Sequence, residues 1–124
     1  VNRYDLLVIG GGTAGMTAAV TAAGLGGRVL LAETDRTGGD CLWTGCVPSK
    51  SLIAAARRAH EMRTADRVGL APAEPVIDLA RIMVRVRDVI ATIEPHDAPV
   101  RLRRHGVEVS EAHARFVRPG CIAV

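Results

Sequence analysis

The 124 residues supply material for one ordinary domain and no more, and with 48% of them hydrophobic that domain can bury a core of its own. Tyr4, Trp43 and Phe116 are the only aromatic side chains, so the core must be aliphatic. The net charge of +3 comes from arginines dispersed along the chain, which argues against a nucleic-acid partner, and no run of residues approaches the roughly 18 apolar positions of a membrane span.

In chain order, "YDLLVIG" at 4–10 is a short branched apolar run that stops at glycine, and it reads as a strand buried on both faces of a parallel sheet. "GGGTAGMTAAVTAAGLG" at 10–26 opens on glycines and continues as an alanine-rich helix, which Gly24, Gly26 and Gly27 end. "RVLLAE" at 28–33 is a second buried strand closed by an acid. Together they make one βαβ unit with a right-handed crossover. Leu6–Ile9 is too short for a signal-peptide core, and an odd number of cysteines, three, fits a reducing compartment. The expected location is cytoplasmic.

Beyond the second strand, "SKSLIAAARRAHEMR" at 49–63 has high helix propensity, and "VGLAPAEP" at 68–75 is a connection. A second helix shows Leu79, Ile82, Met83, Val86, Val89, Ile90 and Ile93 at three- and four-residue steps, with Arg81, Arg85, Arg87 and Asp88 off that stripe. "EPHDAP" at 94–99 ends it with two prolines, and "RLRRH" at 101–105 reads as a solvated strand edge or turn. "VEVSEAHARFV" at 107–117 and "CIAV" at 121–124 read as strands split by "RPG". Val124 falls inside an apparent strand, so the sequence is expected to be part of a larger doubly wound sheet.

Gly10, Gly12 and Gly15 form G-x-G-x-x-G between a strand and a helix. The first allows a tight turn, the second lets the backbone approach a pyrophosphate, and the third lets helix and strand pack closely. The helix start, at Thr13 and Ala14, offers N–H groups and a positive dipole end to phosphates. Glu33, about 20 residues on, stands where a ribose hydroxyl would be accepted, and an acid there argues against a 2′-phosphate.

"GGDCLWTGCVPSK" at 38–50 places Cys41 and Cys46 five positions apart. In an ideal helix, Cα atoms at that spacing lie about 8–9 Å apart. A disulfide needs less than about 7 Å. The two can therefore be bridged only across a distorted turn, which Gly45 and Pro48 permit, with regular helix after Pro48. Cys46 near a helix N-terminus should have a lowered thiol pKa. Lys50, the only lysine against fifteen arginines, adds a compact cation one turn on. Two thiolates are half of a structural zinc site, and His60, His96, His105 and His113 are scattered. A structural bridge over so short a loop removes little chain entropy. From the residues alone, a staple, a metal clamp and a working redox pair all stand as readings. Cys121 reads as a buried apolar residue.

Taken together, the glycine motif, Glu33 and "GGDCLWTGCVPSK" resemble the N-terminal part of the class I pyridine nucleotide-disulfide oxidoreductases, flavoenzymes that include dihydrolipoamide dehydrogenase, glutathione reductase and mercuric reductase. The matching positions are Gly38, Gly39, Cys41, Gly45, Cys46, Pro48, Ser49 and Lys50. "GVEVSEAHARFV" is similar to the later family segment in which the backbone near Ala114 approaches the adenine end of FAD. The resemblance implies an α/β fold: an FAD/NAD(P)-binding, Rossmann-like parallel sheet with flanking helices and the start of a β-meander, residues 1–124 being the N-terminal part of the FAD-binding domain.

It further implies FAD on Gly10, Gly12, Thr13, Ala14, Gly15, Glu33, Gly39, Asp40, Lys50 and Ala114. Cys46 would be the thiol beside the flavin, and Cys41 the interchange thiol. NAD(P) would be the second cofactor of the full-length protein. The expected partners are a small-molecule or protein disulfide, or a metal ion such as mercuric ion, and a second copy in a homodimer. Asp40, where threonine is usual, and Trp43–Thr44, in place of the common Asn–Val, look like a divergent, mercuric-reductase-like branch. Trp43 would either line the flavin or substrate approach or pack the distorted turn. The family's NAD(P) domain, the rest of its FAD domain, its dimer-interface domain and its catalytic His–Glu pair are not in this sequence. Residues 1–124 alone are therefore expected to show no turnover and little FAD binding. The alternative is a stand-alone dinucleotide-binding module with regulatory or inert cysteines.

Overall fold

The computed structural model of the chain describes residues 2–124. Strand β1 (Leu6–Ile9) leads into helix α1 (Thr13–Gly24), which returns the chain to β2 (Val29–Ala32). The strands pair in parallel with Leu6 opposite Val29 and Ile9 opposite Ala32. A third strand, β3 (Val107–Ser110), joins the far side of β2 in parallel, giving the order β1-β2-β3. All four residues of the central strand are buried, as its unbroken branched run requires. Strand β1 is expected to be buried on both faces; within residues 2–124 it ends the sheet, with Val8 buried, Leu6 and Leu7 half-buried and Ile9 46% exposed.

The core lies between the sheet and α1. Val8, Val29, Leu31, Val107 and Val109 pack with Ala19 of α1 and with Leu102, while Met16 and Val20 lean on the edge of the cluster. Small alanines on α1 let the helix sit close to the sheet, and each fully buried aliphatic side chain contributes about 1.5–3 kcal/mol. The helix closes at Gly26 (φ +90°), whose N–H donates to the Ala23 carbonyl, while that of Gly27 donates to Ala22.

Between β2 and β3 the chain is helical: α2 (Gly39–Trp43), α3 (Cys46–Arg63), a 3-10 turn at Ala65–Val68, α4 (Leu79–Asp97) and α5 (Pro99–Arg104). Helix α3 begins three residues before the sequence reading had it. Pro48 falls in its first turn, where backbone N–H groups have no intrahelical partner, so a proline there interrupts nothing. Asp78 caps α4 by accepting the Arg81 N–H at 3.0 Å. Val86 is the buried centre of its stripe, Ile82, Val89, Ile90 and Ile93 are half-buried, and Leu79 and Met83 stay exposed.

The C-terminal third departs from the sequence reading in three places. Helix α4 runs through Pro95 to Asp97, because a proline in the last turn removes only one hydrogen bond. Residues 101–105, read as a strand edge or turn, belong mostly to α5: Pro99 starts it, Leu102 anchors it in the core, and the arginines stay outside. The single strand expected over 107–117 is two. Segment 107–110 joins the parallel sheet, and Arg115–Arg118 (β4) forms a separate antiparallel hairpin with Cys121–Ala123 (β5). Gly120, at φ +70°, makes the turn. The α/β class, the parallel sheet with flanking helices and the opening of a meander are as expected.

Candidate functional site

The C-terminal ends of the three parallel strands open on one side, and the glycine loop lies across them. Gly10 continues the β1 ladder by donating its N–H to the Ala32 carbonyl at 2.8 Å and then turns with φ +100°. At Gly15 a Cβ would come 2.0 Å from the Gly10 carbonyl oxygen, so only glycine lets α1 start this close to the turn. Gly12 precedes α1 in extended conformation, and no side chain caps the helix. The N–H groups of Thr13, Ala14 and Gly15 are thus without a side-chain partner, and the positive end of the helix dipole faces the loop.

Glu33, at the end of β2, is engaged by the backbone of the glycine loop. Its Oε2 accepts the Gly11 N–H at 2.6 Å, and its Oε1 accepts the Asp35 N–H at 2.9 Å. Burial opposes its ionisation, but the N–H groups of Asp35, Gly11 and Thr34 outweigh burial and hold the carboxyl below its ordinary range. The bracing of Gly11 is invisible in the sequence, where the spacing of Glu33 from the loop suggested only ligand recognition.

The cysteine segment is latched to this loop. The Gly38 N–H donates to the Gly11 carbonyl at 2.8 Å. Gly39, at φ +55°, presses its backbone against Gly12 so closely that a Cβ would sit 2.7 Å from the Gly12 Cα. Leu42, buried to 1% exposure, packs under Gly38 and anchors α2. Cys41 in α2 and Cys46 at the start of α3 are separated by a break in the helix. Gly45 there has φ −110° and ψ −108° and donates to the Asp40 carbonyl at 2.5 Å. A side chain at Gly45 would meet that same carbonyl oxygen at 2.8 Å. The distorted turn inferred from helix geometry is therefore present.

Both thiols are free, Cys41 half-buried and Cys46 exposed. The Cys46 thiol is pushed up from its ordinary value by the Cys41 side chain, first as a hydrogen-bonding partner and then through its charge, while Lys50 pulls it down. This reverses the lowered pKa expected from the helix start. With both sulfurs reduced, the Cys41 side chain outweighs the helix end and the lysine together.

An open cleft of about 410 Å³ lies over the latch, lined by Gly12, Glu33, Asp35, Arg36, Gly39, Asp40, Trp43 and Thr44. Of the residues named from sequence, the structure brings Gly12, Glu33, Gly39 and Asp40 together here. Gly10 and Gly15 lie beneath, as turn and packing positions. Lys50 is exposed on α3 and acts on Cys46, and half-buried Ala114 lies in the segment between β3 and β4. Trp43 packs the turn: its indole N–H donates to the Thr37 carbonyl at 2.9 Å, and the Arg36 guanidinium covers its ring at 3.9 Å. Arg36 was not singled out in the sequence, which carries no signal for that stacking. Cys121 is half-buried on β5 rather than in the core. Among the described residues, no cluster of three or more His, Cys, Asp or Glu could hold a metal ion, and no helix is long and apolar enough to cross a membrane.

A glycine-rich strand-to-helix turn, an acid closing the second strand and an uncapped helix start beside an open cleft are the features of a Rossmann-like α/β fold. The sequence pattern of the pyridine nucleotide-disulphide oxidoreductases matches residues 4–120, and the chain belongs to that family. It is 43% identical over 108 residues to a dihydrolipoyl dehydrogenase of Zymomonas mobilis, covering 87% of this chain and 23% of the relative. With dihydrolipoyl dehydrogenase 2 of Haloarcula marismortui it shares 40% over 120 residues, 97% of this chain and 25% of the relative. A mercuric reductase of Bacillus cereus is 29% identical over 121 residues, 98% of this chain and 19% of that protein. The chain thus spans about a quarter or less of the length of these curated relatives.

Proposed function

We propose that residues 1–124 are the N-terminal part of the FAD-binding domain of an NAD(P)H-linked disulfide oxidoreductase, in which Cys41 and Cys46 cycle between disulfide and dithiol. The observation that carries this reading is the latch: Gly38 and Gly39 tie the cysteine segment directly to the phosphate loop. A nucleotide held by one is thereby brought beside the other.

The residues fit FAD. Gly12 and Gly39 leave bare backbone where side chains would fill the cleft, the uncapped start of α1 would receive the pyrophosphate, and Glu33 would meet the adenosine ribose. Ala114 would lie toward the adenine end, and Lys50 toward the ring. When bound, FAD would supply two-electron transfer between a nicotinamide and the sulfur pair.

The thiol chemistry belongs to this chain. The Cys41 side chain raises the pKa of the Cys46 thiol, which supports the two sulfurs as a working pair with Cys41 as the interchange nucleophile. Cys41 attacks one sulfur of a substrate disulfide, forming a mixed disulfide and releasing the other half as a thiolate. Cys46, giving up its proton, then attacks the Cys41 sulfur, closes the Cys41–Cys46 bond and releases the second thiolate. The dithiol is oxidised by two electrons and the substrate reduced by two. The higher identity to dihydrolipoyl dehydrogenases than to the mercuric reductase supports a disulfide or dithiol substrate over a metal ion. The full-length enzyme would be a homodimer.

The test is NADH- and NADPH-dependent reduction of a small disulfide by the full-length protein and by its Cys41→Ser and Cys46→Ser variants. Loss of turnover in both variants with flavin retained is the expected result. Turnover undiminished in either serine variant would refute the working pair, and a protein that neither binds flavin nor oxidises NAD(P)H would refute the enzyme.

A further inference from the structure

The cleft built to receive a diphosphate is charged the wrong way. Its ionisable lining is Glu33, Asp35, Arg36 and Asp40, three acids against one base. Each of the first three is already engaged. The Glu33 carboxylate holds the Gly11 and Asp35 N–H groups. Asp35 contacts Arg36 at 3.5 Å, and Arg36 is laid over the Trp43 ring. Asp40 differs from them. Its backbone carbonyl accepts from Thr44 and Gly45, but among the described residues no ion pair or hydrogen bond takes up its carboxylate. It is exposed, and it follows directly on the glycine pressed against Gly12. An unneutralised negative charge therefore stands at the mouth of the phosphate loop.

We propose that Asp40 tunes the affinity of this cleft for the cofactor, acting as an electrostatic brake on the diphosphate that added salt partly relieves. The inference rests on the FAD reading above. Oppositely charged protein–phosphate pairs weaken as salt rises, whereas a like-charged pair is relieved by the same screening. Repulsion of one carboxylate by a diphosphate a few ångströms away across a wet cleft corresponds to about a fivefold loss of affinity at low salt. The loop N–H groups and the α1 dipole still bind the phosphates, so the brake tunes affinity without abolishing it.

The experiment measures dissociation constants for FAD and for riboflavin, which lacks the phosphates, on full-length apoprotein by flavin fluorescence. Salt is varied from about 10 mM to about 150 mM, over which the screening length falls from about 30 to about 8 Å. Asp40→Asn, which keeps the shape and removes the charge, should bind FAD about fivefold more tightly than the parent at low salt, and the gap should narrow to about threefold at high salt. Asp40→Glu, which keeps the charge, should follow the parent, and riboflavin binding should be the same in all three proteins. Equal FAD affinity of parent and Asp40→Asn at low salt, or a difference that salt does not change, would overturn the brake while leaving the FAD reading intact. Failure of the parent and both variants to bind FAD at any salt would overturn both.

Discussion

Gly39→Ala tests the latch between the phosphate loop and the cysteine segment. Two costs add. Gly39 has φ +55°, a left-handed conformation that costs an alanine about 1–2 kcal/mol. The new Cβ would also sit 2.7 Å from the Gly12 Cα, a backbone atom that cannot rotate away, so the two segments must part by more than half an ångström. Backbone displacements of that kind cost typically about 1–3 kcal/mol, giving a loss of about 3 kcal/mol in all. Gly24→Ala is the matched control: the position has neither positive φ nor any atom within 4 Å, and alanine there should be neutral or stabilising by about 0.5–1 kcal/mol. Urea unfolding followed by far-UV circular dichroism reads both. A Gly39→Ala protein with the parent's unfolding midpoint would mean that the two loops do not touch, and the proposed route from nucleotide to thiols would fall with that contact.

Other positions separate the remaining parts of the argument. Glu33→Gln should weaken the loop by about 1–2 kcal/mol at neutral pH, measured by urea unfolding, because hydrogen bonds to a charged acceptor are lost. Its folded-state pKa is lowered, so the carboxylate's contribution is present above the unfolded pKa of about 4.3 and disappears as pH falls through the folded value. The stability gap between parent and Glu33→Gln should therefore close in acid, and a gap constant down to pH about 3 would refute that assignment. Leu42→Ala should cost about 2–5 kcal/mol in the same unfolding assay by hollowing the support under Gly38, and a loss below 1 kcal/mol would show that α2 is held elsewhere. Trp43→Phe keeps a ring under Arg36 but orphans the Thr37 carbonyl, for a loss of about 1 kcal/mol; an unchanged midpoint would mean that the indole hydrogen bond contributes nothing.

The first 33 residues were legible because each signal there is local. A branched run reads as strand, an alanine run as helix, and glycine spacing as a turn whose purpose the next element explains. The cysteine segment was legible in part: helix geometry required a break between Cys41 and Cys46, and one lies at Gly45. Hidden in the sequence was where Gly38 and Gly39 press, since contact with Gly11 and Gly12 joins residues 27 positions apart. The raised Cys46 pKa is not legible from the helix start, because it comes from the Cys41 side chain across the break. In the last third, short elements defeated periodicity. One turn of helix around Leu102 cannot be told from a strand by alternation, and the join between β3 and β4 carries neither glycine nor proline to mark it.

Lys50 gives the chain an unusual chemical handle. Within residues 1–124 it is the only amine-bearing side chain, it is exposed, and it lies one helical turn from the exposed Cys46 whose thiol feels its charge. Amine-directed acylation would therefore mark one side chain of residues 1–124, and an amine-to-thiol crosslinker of short reach would tie Lys50 to Cys46 in the reduced protein. The oxidised pair would leave that reagent hanging by one end, so the yield of the internal crosslink would count the fraction of reduced molecules in a sample without recourse to any substrate.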